Sequence, residues 1–220
     1  MSRQAEESDD EAEPLFPLSA RFTEPHSRGR PGPARLNPPL TAAETGTAHH
    51  KFLQHVTLEN ADDLAALDAE AKRLEAAGVL NADERAALDL DAVAAFWQSA
   101  PGRKIRAQPP ECVKRELPFT ARFSPAEVDA ITGAKTPPAL ENEFVVVQGV
   151  ADLVVVLPGK IWLVDFKTDE LKPGESAERK RHYERQLKLY AGALSRIYAR
   201  PAANCWLHFL AARQTVDIKI

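Results

Sequence analysis

The sequence predicts an α/β protein: a central mixed sheet flanked by helices, with an α-helical insertion over 61–100. Three observations carry this expectation. Residues 61–100 hold 14 alanines, with bulky apolar residues at helical spacing. Two β-rich runs, 144–157 and 160–168, lie on either side of Pro158-Gly159. An amphipathic stretch over 176–199 then precedes two closing strands at 205–211 and 215–220.

Composition bounds the rest. A chain of 220 residues, 44% hydrophobic and 27% charged, can bury one proper core. It is too short to hold a motor ATPase beside a second catalytic domain. The net charge of −4 gives no global signature of a nucleic-acid binder. Two cysteines, Cys112 and Cys205, exclude a disulfide scaffold, a four-Cys zinc site and a four-Cys iron–sulfur cluster. The apolar runs fall far below the roughly 20 residues of a membrane span. The Met-Ser-Arg-Gln-Ala-Glu-Glu start has no apolar h-region. A soluble protein of a reducing compartment, the cytoplasm, is expected.

The elements follow in order. Residues 1–40 read as a tail or linker: they hold seven of the 17 prolines and a run of acids from Glu6 to Glu13. Such a stretch buries too little apolar surface to offset its ordering entropy. Thr41-Ala-Ala-Glu44 reads as a capping box opening a helix through Phe52, Leu53 and Val56. Over 61–100, two or three short helices break near Gly78 and Asn81, and Pro101-Gly102 is expected to end this helical half. Val113 to Phe123 alternates like a partly exposed strand, and 124–142 reads as an irregular connection. The helix over 176–199 places Tyr183, Leu187, Tyr190, Ala191, Leu194 and Tyr198 on one face. No internal repeat is present.

The hairpin yields the sharpest deduction. With Pro158 and Gly159 as the two turn residues, Leu157 faces Lys160, Leu153 faces Val164, and Asp152 faces Asp165. Opposed residues share a face with Cβ atoms roughly 4.5–5.5 Å apart, where like charges repel. A divalent cation is the economical reason for two carboxylates there, since hard oxygen ligands suit Mg²⁺ or Mn²⁺. Residues two apart on a strand share a face, so Lys167 projects with Asp165. Two acids and a lysine on one patch suit phosphoryl chemistry: a metal activates water, and an ammonium orients it and offsets developing charge. An exposed Asp-x-Lys pair on a strand is also a common, weak surface ion pair.

These residues resemble the signature of the PD-(D/E)xK nucleases in their RecB-type form. Gly46-Thr-Ala-His-His50 is similar to that family's first motif, and Arg115-Glu116-Leu-Pro-Phe119 to its Glu-x-Pro-Phe segment. Gly149-x-x-Asp152, Asp165-Phe-Lys167-Thr168 and Tyr183-x-x-Gln186-Leu-x-x-Tyr190 resemble the later motifs, in the family's order over about 41–212. Within the family the resemblance is nearest to the C-terminal nuclease domain of AddA helicase–nuclease subunits. It implies a restriction-endonuclease-like core over 41–220, with 61–100 as the helical insertion. The AddB subunits and the cluster-bearing nucleases of CRISPR adaptation carry four cysteines, so no iron–sulfur cluster is implied. No Gly-x-x-x-x-Gly-Lys-Ser/Thr occurs, so the chain has no ATP site of that kind.

The resemblance also implies roles. His50, Asp152 and Asp165 are expected as ligands of Mg²⁺ or Mn²⁺, with the Phe166 carbonyl completing the set and Lys167 assisting the attack of water. Glu116 is expected to support the metal or the lysine; Glu141 and Glu143 have no motif support, nor do His26, His49 and His55. Gln186, Tyr183, Tyr190 and Thr168 are expected to contact phosphate or the groups behind the metal. Residues 172–200 hold eight basic side chains against three acids. Lys180, Arg181 and Arg185, near Tyr183 and Gln186, are the expected DNA-backbone contacts. The implied activity is exonucleolytic trimming of DNA ends in recombinational repair, in partnership with a helicase motor and an AddB-like subunit. A non-catalytic DNA-guiding or subunit-docking module and a free-standing endonuclease remain the alternatives.

Overall fold

A computed structural model of the chain describes residues 40–59, 61–168 and 176–220, and the side chains of 176–178 lie outside that description. The segment expected as a tail therefore lies outside the described residues except for Leu40.

The first half is helical. α1 (Ala42–His55) opens with the expected capping box: Thr41 Oγ1 accepts from the Glu44 amide, and Glu44 Oε2 accepts from the Thr41 N–H at 2.7 Å. α2 (Leu64–Ala76), α3 (Ala82–Ala86) and α4 (Leu90–Gln98) start at Asp63, Asn81 and Asp89, whose side chains each accept from an otherwise unpaired amide. Gly78, at φ +72°, stands just past the end of α2 in the left-handed conformation that only glycine adopts at little cost.

Two expectations are corrected. Pro101 and Gly102 do not end the helical half; they lie in the first turn of α5 (Ala100–Arg106), behind the Ser99 cap. Proline is tolerated there because the first-turn N–H groups have no helical partner. Residues 124–142 are not wholly irregular either. Ser124 and Glu127 form a second capping box that opens α6 (Pro125–Thr132), and Gly133 at φ +74° ends it.

The second half builds a five-stranded sheet in the order β1 (Val113–Phe123), β2 (Val145–Leu157), β3 (Lys160–Lys167), β4 (Ala202–Phe209), β5 (Gln214–Asp217). Every neighbouring pair is antiparallel except β3 and β4, which run parallel across the crossover helix α7 (Ser176–Tyr198). The sheet is thus mixed and the fold three-layered. One face packs Leu153, Val155, Val164, Phe166 and Trp206 against Phe52, Leu67, Phe96 and Trp97 of the helical half. The other packs Phe119, Val154, Leu163 and Leu207 against Leu187, Ala191 and Leu194 of α7 and Val128 of α6.

The β2–β3 hairpin has the register deduced from Pro158-Gly159, with Leu157 opposite Lys160 and Leu153 opposite Val164. There the ladder stops. Beyond Leu153, β2 continues beside β1 and β3 beside β4, so the two strands fork just where Asp152 and Asp165 stand.

Alternation also slips at this level. Ala151 packs on the α7 side while Leu153, two residues on, packs on the helical-half side. In β1 the switch falls between Val113 and Phe119, and between them Glu116 adopts φ +48°. The register places Arg115 opposite Leu153 and Leu117 opposite Ala151, so Glu116 and Asp152 stand across from one another at the slip.

Candidate metal centre

Three elements deliver the cluster. His50 lies on α1, Glu116 at the distorted point of β1, and Asp152 at the mouth of the fork in β2. His50 Nδ1 is 3.2 Å from Glu116 Oε1 and 3.4 Å from Asp152 Oδ1. One ligand atom from each of the three lies within 4.8 Å of the others. An imidazole nitrogen and two carboxylate oxygens at that separation fit a hard or borderline divalent ion such as Mg²⁺ or Mn²⁺.

The fork is held open by the site itself. Asp152 Oδ2 accepts the Phe166 amide at 2.7 Å, taking the place of a ladder bond that the diverging backbones no longer make. This fixes the carboxylate and turns its other oxygen toward His50.

α1 is docked against the same point. Thr168 Oγ1 lies 2.9 Å from where a Cβ on Gly46 would stand, so only glycine allows the helix and the end of β3 to approach this closely. Arg115, beside Glu116, donates to the carbonyls of Val56 and Leu53 at the C-terminal end of α1. A guanidinium suits that end of a helix, where unpaired carbonyls concentrate negative charge. In the sequence Arg115 is one member of a motif, and its position next to Glu116, on the strand that must meet α1, is the signal of this role.

Asp165 and Lys167 stand beside the cluster. Lys167 Nζ is 2.8 Å from Asp165 Oδ2, an ion pair that lacks hydrogen-bond alignment. Asp165 is not in the group of three whose ligand atoms lie within 4.8 Å. Lys167 also lies 4.7 Å from the centre of the Tyr183 ring and donates to Gln186 Oε1 at 3.4 Å. Gln186 Nε2 in turn donates to Tyr190 Oη at 3.4 Å. Lys180 is half-buried and Arg181 and Arg185 are exposed on α7. Arg196 and Arg200 are committed to the fold, donating to the Arg122 and Leu157 carbonyls respectively.

Electrostatics separate the two buried aspartates. Burial alone pushes both carboxyls up. Asp152 nonetheless falls below the ordinary carboxylate range, because His50, Lys167 and the Phe166 amide outweigh its burial. Asp165 stays raised: burial is reinforced by the Asp152 charge, and Lys167 only partly offsets them. Burial opposes protonation of His50, but Asp152 and Glu116 together lift it to about 10. Lys167, despite burial, is held protonated by Asp165 and Asp152. Three carboxyl groups thus meet two cationic side chains here, and a divalent ion would take its place at His50 by displacing the imidazole proton.

His49, one residue earlier, serves the fold. Its Nδ1 donates to the Thr45 carbonyl at 2.8 Å and its Nε2 accepts the Asp89 amide at 2.9 Å, tying the start of α4 to α1.

A family model describing the PD-(D/E)XK nuclease superfamily matches residues 21–218. The chain belongs to the PD-(D/E)XK nuclease superfamily. Its match begins within the segment expected as a tail. The chain is also similar to the ATP-dependent helicase/nuclease subunits of the AddA type. It is 32% identical to the Moorella thermoacetica protein over 210 residues, 94% of this chain and 14% of the relative. The Bacillus mycoides protein is 31% identical over 187 residues, covering 82% of this chain and 14% of the relative. That of Desulforamulus reducens is 30% identical over 194 residues, covering 88% and 15%. The chain thus spans about one seventh of the length of these relatives, and it matches them as an AddA-like nuclease domain.

Proposed function

We propose that this PD-(D/E)XK domain is a divalent-metal-dependent deoxyribonuclease. The convergence of His50, Glu116 and Asp152 beside the Asp165–Lys167 pair supports this reading above all else. His50, Glu116 and Asp152 would hold Mg²⁺ or Mn²⁺, with Asp165 adjoining. A bound ion of this type would supply Lewis acidity, letting water give up a proton to solvent near neutral pH and so become nucleophilic enough to attack phosphorus.

The chain's own groups do the rest. The Lys167 ammonium, kept charged by its two aspartates, would point a donor at the non-bridging phosphate oxygens. It would offset the charge that grows as the water oxygen bonds to phosphorus and the P–O bond to the leaving nucleotide oxygen breaks, that oxygen taking a proton from solvent. Asp165 and Gln186 fix its direction. Asp152 is kept ionised and pinned by the Phe166 amide, so the centre is organised before substrate arrives. Lys180, Arg181 and Arg185 attract the DNA backbone to the face of α7 next to the centre.

The finer reading rests on the AddA-type relatives: exonucleolytic processing of DNA double-strand ends in recombinational repair, in the cytoplasm. Its partners would be single-stranded DNA or a duplex end, a helicase motor and an AddB-like subunit. No helix among the described residues is long and apolar enough to cross a membrane.

Purified Asp165→Ala and Lys167→Ala chains should lose Mg²⁺-dependent nuclease activity while keeping the parental circular-dichroism spectrum; full activity in either sinks the assignment. Digestion of linear but not circular single-stranded DNA marks an exonuclease, and loss of circles refutes it.

A further inference from the structure

β2 carries a glycine where a strand gains nothing from one. Gly149 pairs with Phe119 of β1, three residues before Asp152. Its φ is not positive, so no left-handed turn demands glycine there. Glycine inside a strand destabilises it relative to alanine through lost backbone entropy, and it commonly marks a place where another group comes close.

The group that comes close is Tyr190 of α7. A Cβ on residue 149 would lie 2.7 Å from both Cζ and Oη of Tyr190 and 3.0 Å from Cζ of Phe119. The first two separations are shorter than real Cβ atoms show. The phenol cannot yield toward β1, because Phe119 already meets it edge-on with ring centroids 4.7 Å apart. An added methyl must therefore lift the phenol off the strand.

That displacement reaches the proposed catalytic lysine through two hydrogen bonds. Tyr190 Oη accepts from Gln186 Nε2, and Gln186 Oε1 accepts from Lys167 Nζ, each at 3.4 Å. Both bonds are long, so a small shift of the phenol breaks the first and frees the amide to rotate away from the ammonium.

We infer that Gly149 is a positioning residue: its bare α-carbon is the notch in which the Tyr190 phenol rests, and the phenol holds Gln186 on the Lys167 ammonium. The inference rests on the nuclease reading for its consequence in turnover but not for its geometry.

The test uses Gly149→Ala, Tyr190→Phe and the double variant of the full 220-residue chain. With labelled linear single-stranded DNA and excess Mg²⁺, each single change should lower kcat about tenfold and leave KM within about twofold, the size expected for one hydrogen bond. The double variant should turn over no slower than the poorer single, since both changes cut the same link. Parental kcat in Gly149→Ala, or losses that multiply in the double, would overturn the inference. A second readout needs neither metal nor DNA: the Gln186 side-chain amide resonance should move in the same direction in both single variants. An unmoved resonance in Gly149→Ala overturns the inference too. A parent chain without nuclease activity would sink the proposed function while leaving this resonance to decide on Gly149.

Discussion

His50 Nδ1 lies 3.2 Å from Glu116 Oε1 although 66 residues separate them. A helix side chain reaches a strand side chain at that distance only because both elements are shaped for it. Gly46 lets α1 settle onto Thr168, one helical turn before His50. Glu116 takes φ +48° and breaks the alternation of β1. Were β1 a regular strand at this point, residues 113 and 119 would share a face, and they do not.

Glu116 is therefore held in backbone that disfavours any side chain. A left-handed residue other than glycine costs roughly 1–2 kcal/mol. Glu116→Gly and Glu116→Ala both remove the carboxylate, but only the first removes the strain. Glu116→Gly should be more stable than Glu116→Ala by about 1 kcal/mol in urea unfolding, and both should bind Mn²⁺ at least tenfold more weakly than the parent. Equal stability would show that the backbone at 116 is not strained. Unchanged Mn²⁺ affinity would remove Glu116 from the centre.

Much of this was legible in the sequence, for reasons that differ by residue. Pro158-Gly159 fixed the hairpin register, because a two-residue turn leaves one pairing open to the strands that follow. Asp152, Asp165 and Lys167 were found by counting from that turn. His50 stands out through the resemblance of Gly46-Thr-Ala-His-His50 to the family's first motif. Glu116 was harder to place: alternation cannot reveal a strand that abandons it, and a lone acid gives no sign of a positive φ. α6 is hidden because Ser-Pro and Thr-Gly are common breakers, yet here they are the two ends of one short helix whose start Ser124, Pro125 and Glu127 spell. Pro101 is ambiguous in the same way, since proline both ends helices and fits the first turn it occupies here. Arg115 and Gly149 act on elements far away in sequence, and no local pattern announces such partners.

The ion's ligands and the lysine can be separated by what each variant loses. Asp152 belongs to the group of three proposed to hold the ion, whereas Lys167 contacts Asp165 and Gln186. Isothermal titration with Mn²⁺ should give parental affinity within a few-fold for Lys167→Ala and no measurable heat for Asp152→Ala, while both lose nuclease activity. Heat that survives Asp152→Ala unchanged would place the ion elsewhere. Loss of binding in Lys167→Ala would mean the lysine organises the ligands rather than the phosphate.

Arg115 should matter to both stability and metal. Its half-buried guanidinium reaches both the Val56 and the Leu53 carbonyl through a single nitrogen, Nη1, at the end of an arm longer than that of lysine. Removing donors from a helix C-terminus leaves buried acceptors unpaired, at about 1–3 kcal/mol. Arg115→Ala should unfold at lower urea by that amount and bind Mn²⁺ several-fold more weakly, because α1 carries His50. Arg115→Lys, with one donor nitrogen on a shorter arm, should recover part of both losses. Parental Mn²⁺ affinity in a destabilised Arg115→Ala would confine the residue to stability and detach it from the centre.

His208 gives the fold a pH limit that owes nothing to the metal ligands. Its ring is buried between Phe96 and Phe166, its Nδ1 pairs with Thr215 Oγ1 at 2.8 Å, and its Nε2 has no hydrogen-bond partner. Burial pushes its pKa down to about 4, against an ordinary value of 6.5. Above pH 6.5 the imidazole is neutral whether folded or unfolded, and pH has no effect through it. Between 6.5 and 4 the unfolded chain binds a proton that the folded chain refuses, so stability falls as pH falls. Below 4 the loss levels off, after reaching at most about 3 kcal/mol. His208→Phe keeps a ring against its aromatic neighbours and leaves half-buried Thr215 able to reach water. Urea unfolding of both chains at about pH 7 and about pH 4.5 should show the variant losing about 2 kcal/mol less than the parent on acidification. Equal losses would mean that carboxylates alone set the acid limit and that His208 is protonated in the folded chain as readily as in the unfolded one.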